Sequence, residues 1–207
     1  MSARGPAKQF DPEVALERAM EIFWAEGYAC ASLADLLAAM GIARKSFYDT
    51  FGSKRALFER SIEQYSVKVV GGMRATLQAP GSPLANIRRV VGSIRDDAAT
   101  PFAPGCLLGV AMAQCSADDP DLARILRRHV ARVEQSFADA LARAVEAHEL
   151  RADLDVRGTA RLLTVALQGI RLLGRVTETR ELTDGAVAAA LAVLDAASPS
   201  TATTALS

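Results

Sequence analysis

The sequence predicts an all-α protein of about nine helices. Apolar residues recur every three or four positions along most of the 207 residues, which is the period of a helix buried on one side. No segment shows the strict alternation of apolar and polar residues that is typical of a half-buried strand. Half of the residues are hydrophobic, so the chain can bury a real core.

The first three helices are predicted to be short and closely spaced. Asp-Pro at residues 11–12 caps the first helix, whose apolar face runs to Gly27. A capping box from Ser32 begins the second, and Gly41 ends it. After a short turn, a third helix spans residues 44–51. Helices of about eight residues are too short to be stable alone, so the second and third must pack on the first.

The other six helices are predicted to form a larger C-terminal part. Pro, Gly and Asp residues separate them. Their expected positions are about 53–78, 84–98, 106–116, 120–149, 156–177 and 183–197. The Ser- and Thr-rich end is typical of a disordered tail. The expected organisation is a three-helix domain at residues 1–52, a larger helical domain at 53–198 and a tail at 199–207.

The charged residues balance overall but are unevenly distributed. Lys and Arg number 24 and Asp and Glu number 24, so the net charge indicates no general affinity for nucleic acid or membranes. Residues 41–60, however, contain five cations and two anions. The pairs Arg44-Lys45 and Lys54-Arg55 stand at predicted helix starts, where the helix dipole favours Asp or Glu. This placement predicts a negatively charged partner outside the chain.

The basic pairs coincide with a predicted helix-turn-helix. In that arrangement the second helix enters the major groove of DNA through its N-terminal residues, and Arg44 and Lys45 stand there. Lys54 and Arg55 begin the next helix, beside backbone N–H groups that suit a phosphate. Tyr48 lies one turn after Arg44 and can reach the DNA backbone. We therefore predict binding to double-stranded DNA; the alternatives are solvated cations or contact with an acidic protein.

Residues 17–58 closely resemble the N-terminal domain of TetR/AcrR-family transcriptional regulators. The shared pattern is an aromatic helix end before Gly, a Ser helix start, a Gly-Ile turn, aromatic residues in the third helix, then Ser-Lys and Ala-Leu pairs. These positions are Phe23, Gly27-Tyr28, Ser32, Gly41-Ile42, Tyr48, Phe51, Ser53-Lys54 and Ala56-Leu57. The resemblance of the C-terminal part is only architectural. Asp49-Thr50 departs from the His, Tyr or Arg of many relatives, which leaves the operator sequence open.

The resemblance implies a homodimeric, ligand-responsive regulator that binds palindromic operator DNA. It favours a repressor that a small-molecule or electrophile effector releases from the operator. It implies phosphate contacts from Ser32, Tyr48 and Lys54. Base contacts are expected from Arg44, Lys45 and Ser46. The alternative function is a helical dimeric protein-interaction module without specific DNA binding.

The segment 162–174 also predicts a dimer. One apolar face of this helix suits the core of the subunit, and its members are Leu163, Leu167, Ile170 and Gly174. A second face needs another partner, and it comprises Leu162, Ala166 and Leu173. The Ala-rich last helix provides a flat surface beside it, so a symmetric four-helix seam is expected. The alternative is a helix buried entirely inside the subunit.

The chain lacks recognisable catalytic, cofactor and metal motifs, so we expect neither an enzyme nor a cofactor. Two histidines are few for such chemistry, and His129 is expected in the core. Cys106 at a predicted helix start suggests either a reactive thiol or a small buried apolar residue. Without a signal-peptide core or a membrane span, a cytoplasmic location is expected. A ligand cavity is predicted around Met73, Phe102, Cys106, Met112, Phe137 and Gln168.

Overall fold

The structure, a computed structural model, describes residues 10–97, 106–115, 119–174 and 180–199. These residues form nine helices and no strand, which confirms the all-α prediction. The loop at 100–105 and almost all of the predicted tail lie outside them. The helices are α1 (Pro12–Cys30), α2 (Leu33–Met40), α3 (Arg44–Phe51), α4 (Lys54–Leu77), α5 (Pro83–Asp97), α6 (Leu107–Gln114), α7 (Pro120–Glu146), α8 (Val156–Leu173) and α9 (Glu181–Ala196).

Local capping interactions fix the short helices where the sequence predicts them. The Ser32 hydroxyl accepts a hydrogen bond from the backbone N–H of Asp35 at 3.1 Å, so it caps α2. Gly41 ends α2 in the left-handed conformation, with φ 65° and ψ 36°. Its N–H donates to the carbonyls of Leu37 and Ala38. The chain therefore turns within three residues and begins α3 at Arg44.

Helix α1 is interrupted at Gly27, where the sequence predicts its end. Gly27 has φ 78° and ψ 170°, and helical structure then continues to Cys30. The side chain of Gln114, the last residue of α6, reaches this interruption. Its Oε1 accepts a hydrogen bond from the backbone N–H of Tyr28 at 2.9 Å. The break in α1 is therefore one of the points at which α6 contacts the N-terminal helices.

Two hydrophobic clusters make up the core. The first joins α1, α2, α3 and the first half of α4 to α6 and the start of α7, around buried aromatic residues that include Phe23, Phe47 and Phe58. The second joins the end of α4 to α5, α8, α9 and the rest of α7. Helices α4 and α7 contribute to both clusters. The domain boundary near residue 52 stays a prediction. The apolar packing of the N-terminal helices continues beyond this residue into α4, α6 and the start of α7.

His129 lies in the interior, as expected from its position on α7. Its side chain is buried, and its Nδ1 lies 2.9 Å from the hydroxyl oxygen of Ser66 on α4. The pKa of His129 is lowered to about 4, mainly by burial. The positive charges of Arg132 and Arg171 also lower this pKa, and the nearby Glu63 raises it by a smaller amount. The imidazole is therefore neutral in the folded protein near neutral pH.

We expect Gly27→Ala to lower the free energy of unfolding by about 1–3 kcal/mol, because the backbone conformation at this position is essentially restricted to glycine. A Cβ would also lie 2.3 Å from Nε2 of Gln114. Gly71→Ala is the control, since a Cβ there meets nothing within 4 Å in the middle of α4. It should raise stability by about 0.5–1 kcal/mol. Urea unfolding measures both, and equal stabilities of the two variants would contradict this account.

Stability should fall on acidification below pH 6.5 because of His129. The unfolded histidine, with a pKa of 6.5, takes up a proton before the folded one, whose pKa is about 4. Within that window this single group removes up to about 1.4 kcal/mol of stability per pH unit. His129→Asn retains a hydrogen-bonding group for Ser66 and should flatten the dependence measured by urea unfolding at several pH values. His148→Asn, at the other histidine, should keep the wild-type slope; an unchanged slope in His129→Asn would refute the assignment.

Candidate nucleic-acid interface

Helix α3 presents one buried and one exposed face. Phe47 and Phe51 are buried among α1, α2 and α4 and anchor the helix. Arg44, Lys45 and Tyr48 are exposed on the other side. Tyr48 keeps 47% of its surface accessible although its ring packs edge-on against that of Phe47. The helix is thus held rigidly through its aromatic residues while its polar face remains available.

The N-terminus of α3 has no side-chain cap. Ala43 occupies the N-cap position, and no side chain accepts a hydrogen bond from the first turn. The first N–H groups of a helix have no partner within the helix and carry its positive dipole end. Arg44 and Lys45 add two charges at the same point. This end of α3 is therefore suited to bind an anion.

The N-terminus of α4 provides a further cation. Ser53 caps the helix by accepting a hydrogen bond from the backbone N–H of Ala56 at 3.0 Å. The Lys54 ammonium lies 4.6 Å from the centre of the Tyr28 ring. That ring packs in turn on Phe58, with centroids 4.9 Å apart. The cation–π contact holds the half-buried Lys54 side chain at the start of α4.

Arg55 has two carboxylate partners within the chain. Its Nη2 donates to Oδ1 of Asp119 at 2.6 Å, Nη1 donates to the other oxygen, and Nε donates to Glu59 at 2.7 Å. The hydrogen bond from Arg55 lowers the pKa of Asp119, which is also the N-cap of α7. The negative partner of Arg55 is therefore inside the chain. This pairing argues against the predicted contact of Arg55 with phosphate.

The two predicted serines differ in exposure, since Ser32 is exposed and Ser46 is half-buried. The Ser32 hydroxyl caps α2 and donates a hydrogen bond to the Asp35 carboxylate. Ser46 is half-buried in the first turn of α3. The structure thus brings Arg44, Lys45 and Tyr48 together on the exposed face of α3. The DNA contacts of these residues stay predictions.

An exposed apolar surface covers α8 and α9. On α8, Leu163, Leu167 and Ile170 are buried in the subunit, as expected for its inner face. The exposed apolar side chains of the two helices are Leu162, Val165, Leu172, Leu173, Leu182 and Val193. Such a continuous apolar surface is typical of a protein–protein contact. Of the second face predicted for the segment 162–174, Leu162 and Leu173 are exposed, whereas Ala166 is partly buried against the second hydrophobic cluster of the subunit.

A half-open cavity of about 290 Å³ lies between α4, α5 and α8. Its lining residues are Val69, Gly72, Met73, Thr76, Arg89, Val90, Ser93, Leu167 and Arg171. Of the predicted ligand residues, Met73 lies in this lining. Phe137 is buried in the second hydrophobic cluster and Met112 packs against the first. Phe102 lies outside the described residues.

Cys106 and Gln168 are buried polar groups in the interior. Cys106 is the N-cap of α6, as the sequence suggests, and only 3% of its surface is accessible. Its thiol is hydrogen-bonded to the Tyr65 hydroxyl, whose pKa is raised by burial. The burial favours a small apolar residue over a sensor thiol, whose reactivity stays a prediction. On α8, both polar atoms of the Gln168 amide are buried, without a hydrogen-bond partner in the described part of the chain.

The two arginines of the cavity were not predicted from the sequence. Arg171 is the single charged residue in the apolar segment 162–174, and a lone charge in such a segment is a usable signal. Arg89 follows another arginine on α5, and the sequence does not reveal which of these two exposed residues lines the cavity. The contact between Arg55 and Asp119 was also missed, since these residues lie 64 positions apart.

The described residues contain neither a candidate metal site nor a candidate membrane-spanning helix. Among these residues, no group of three or more His, Cys, Asp or Glu side chains is arranged to hold a metal ion. None of the described helices combines the length and the hydrophobicity needed to span a bilayer.

The exposed basic helix, its uncapped N-terminus and the three-residue turn before it define a helix-turn-helix DNA-binding protein. Residues 15–60 match the family model described as bacterial regulatory proteins of the tetR family. Residues 83–190 match the tetracyclin repressor-like C-terminal domain. The chain belongs to the TetR family, whose members are transcriptional regulators rather than enzymes. It is a homodimeric, ligand-responsive regulator whose macromolecular partner is double-stranded operator DNA.

Individual relatives that are similar to most of the chain support this assignment. The uncharacterized HTH-type transcriptional regulator YezE of Bacillus subtilis is 34% identical over 196 residues, which cover 92% of this chain and all of that protein. The HTH-type transcriptional repressor ComR of Escherichia coli is 29% identical, covering 84% of this chain and 83% of its own. A solved structure of the TetR-family regulator CifR with 26-base-pair operator DNA is also similar, with a TM-score of 0.79, 27% identity and coverage of 90% and 98%.

We expect Val165→Glu to disrupt the dimer, because Val165 is 69% exposed in the isolated subunit at the centre of the apolar α8 surface. A buried charge without a partner is strongly unfavourable, and folded monomer should result. Sedimentation measures the mass. Val67→Glu is the control, since Val67 is similarly exposed, at 63%, but lies on α4. If the Val165→Glu protein remains as dimeric as the control, this surface is not the dimer interface.

Proposed function

We propose that the protein is a repressor whose two α3 helices occupy successive major grooves of a palindromic operator, and that an effector releases it. The observation that carries this proposal is the exposed, uncapped N-terminus of α3 with Arg44 and Lys45 on it. In a helix-turn-helix, this is the part of the second helix that reaches base edges. The turn at Gly41 before α3 and the buried Phe47 and Phe51 that anchor it also favour this function over that of a protein-binding module.

The exposed residues divide into two roles. Arg44 and Lys45 can reach the acceptors of guanine in the major groove, and this contact gives sequence specificity. Lys54 and Tyr48 are placed to contact DNA phosphates. Each lies beside the N-terminal end of α3, which contacts the bases, but is not part of that end. Phosphate contacts fix the position of the protein but do not distinguish sequences. Arg55 positions α4 through its contact with Asp119 rather than binding DNA.

Helix α6 supplies a physical route from the C-terminal helices to the DNA-binding ones. At its end, Gln114 accepts the hydrogen bond from Tyr28 beside the break in α1. At its start, Cys106 contacts Tyr65 on α4. Between them, a Cβ at Gly109 would lie 3.9 Å from the Leu172 side chain of α8. A movement of α8 against α4 would therefore displace α6 and, through it, α1.

The effector acts by preferring one arrangement of the dimer. It weakens operator binding only if it favours a spacing of the two α3 helices that no longer matches the roughly 34 Å repeat of the grooves. By thermodynamic reciprocity, operator DNA then weakens effector binding by the same factor. Since its partner is operator DNA, we place the protein in the cytoplasm, and we assign it no catalytic reaction.

We expect Arg44→Ala and Lys54→Ala to change DNA binding in different ways. Arg44→Ala should cost about 1–3 kcal/mol and relax the choice of base at one position of each half-site. Lys54→Ala should weaken binding to all duplexes alike and reduce the salt dependence of log K by about one unit of slope. The operator is first selected from random duplexes, and fluorescence anisotropy then gives the affinities at several salt concentrations.

Lys68→Ala serves as the matched control for these variants. Lys68 is an exposed lysine on the same helix as Lys54 but about 21 Å further along its axis. It should bind the selected operator with wild-type affinity and salt slope. If Arg44→Ala and Lys54→Ala behave like Lys68→Ala, the proposed interface is wrong.

A further inference from the structure

Asp49 is the sole carboxylate of α3, and its side chain is exposed. It lies two positions after Phe47 and two positions before Phe51, the buried anchors of the helix. At about 100° per residue, Asp49 is about 160° around the helix axis from each anchor. It therefore stands on the side of α3 opposite the packing face, and in a helix-turn-helix that side faces the major groove.

The carboxylate of Asp49 has no partner among the described residues. No hydrogen bond or ion pair reaches it from them, although Lys45 lies one turn earlier on the same side of α3. Every other aspartate whose side chain the structure describes has a hydrogen bond or another electrostatic contact within the chain. Asp49 is the exception among the described aspartates.

Two electrostatic effects disfavour a carboxylate at this position. Asp49 lies in the last turn of α3, where the negative end of the helix dipole repels an anion. The phosphates of DNA repel it as well when α3 lies in the major groove. No described residue compensates these two effects, so the carboxylate suits a hydrogen-bond donor outside the chain.

The base edges in the major groove offer such a donor. An ionised carboxylate accepts hydrogen bonds and donates none. Cytosine presents its N4 amino group in the groove, whereas guanine and thymine present acceptors, which repel a carboxylate. Adenine presents its N6 amino group beside the N7 acceptor, so it is less suitable. Cytosine is therefore the base that Asp49 accommodates best.

Lys45 complements Asp49 on the same side of the helix. It lies four residues earlier, about 6 Å along the axis and about 40° around it. An ammonium donates to the O6 and N7 acceptors of guanine. The two side chains thus offer a donor and an acceptor separated by between one and two base steps of about 3.4 Å. The positive charge of Lys45 also offsets part of the repulsion between Asp49 and the phosphates.

We propose that Asp49 is a specificity-determining residue, which accepts a hydrogen bond from the N4 amino group of a cytosine in each half-site of the operator. This inference rests on the proposed function, since it assigns one base of the sequence that α3 recognises. The carboxylate weakens binding to every duplex, and only the cytosine contact compensates this effect. Asp49 therefore gives specificity chiefly by disfavouring the wrong sites.

The test begins with selection of bound sequences from random duplexes by the wild type, Asp49→Ala and Asp49→Asn. The wild type should select cytosine at one position of each half-site, and Asp49→Ala should show no preference at that position. Asp49→Asn should shift the preference there towards adenine, because an amide binds N6 and N7 of adenine with two hydrogen bonds.

Fluorescence anisotropy then measures the size of the effect. Replacing the cytosine of one half-site by thymine should weaken wild-type binding about 5- to 150-fold, the range expected for one mismatched base pair. The same replacement should change the affinity of Asp49→Ala less than about threefold. Duplexes of unrelated sequence should bind Asp49→Ala more tightly than the wild type, because a repulsive charge is removed.

Asp153→Ala is the control for the loss of one negative charge. Asp153 is exposed between α7 and α8, beside Leu154, which packs against the second hydrophobic cluster. This variant should keep the wild-type affinity and base preference. The inference is overturned if Asp49→Ala selects the same sequence as the wild type, or if it binds the operator and unrelated duplexes more tightly by the same factor. Lower thermal stability of Asp49→Ala would also overturn it, because Asp49 would then support the fold.

Wild-type selection separates this inference from the proposed function. If the wild type selects no sequence, the proposed function fails and the inference fails with it. If it selects an operator in which no position responds to Asp49→Ala, only the assignment of Asp49 fails. The effects expected for Arg44→Ala and Lys54→Ala would then still support the regulator.

Discussion

The packing of α4 into both hydrophobic clusters is the constraint on which the rest of the structure depends. Leu57, Phe58 and Ile62 belong to the cluster of the N-terminal helices, whereas Val70 and Leu77 belong to that of the C-terminal ones. Helices α2 and α3 have eight residues each and need this support to be stable. The orientation of the DNA-binding face is therefore tied to the helices that line the cavity, with no flexible linker between them.

The basic residues at the helix starts have two different explanations. At α3, no side chain caps the helix and the cations remain exposed, which suits an external anion. At α4, Asp119 binds Arg55 in two hydrogen bonds and simultaneously caps α7. One charged pair thus joins the beginnings of two helices that cross both clusters. An unfavourable charge at a helix start is therefore evidence of a compensating anion, but not of where that anion is.

Sequence alone predicted the features that depend on neighbouring residues. The caps at Ser32 and Gly41 and the buried inner face of α8 follow from local pattern, and the structure has them. At Gly27 the pattern predicted the end of α1, whereas the structure has an interruption after which helical structure continues to Cys30. Contacts between distant segments were not predictable in this way. The pairing of Arg55 with Asp119 and the convergence of Arg89 with Arg171 depend on how whole helices are rotated and packed, which the periodicity of one helix does not specify.

The hydrogen bond between Gln114 and Tyr28 bears on how much effector binding can change the affinity for operator DNA. One neutral hydrogen bond contributes about 0.5–1.5 kcal/mol, and a symmetric dimer contains two copies of it. If effector binding breaks both, about 1–3 kcal/mol is available to distinguish the two states, equivalent to roughly 5- to 150-fold in operator affinity. A contact of this size, outside both the cavity and the DNA-binding face, would then account for a measurable part of the difference in operator affinity between the two states.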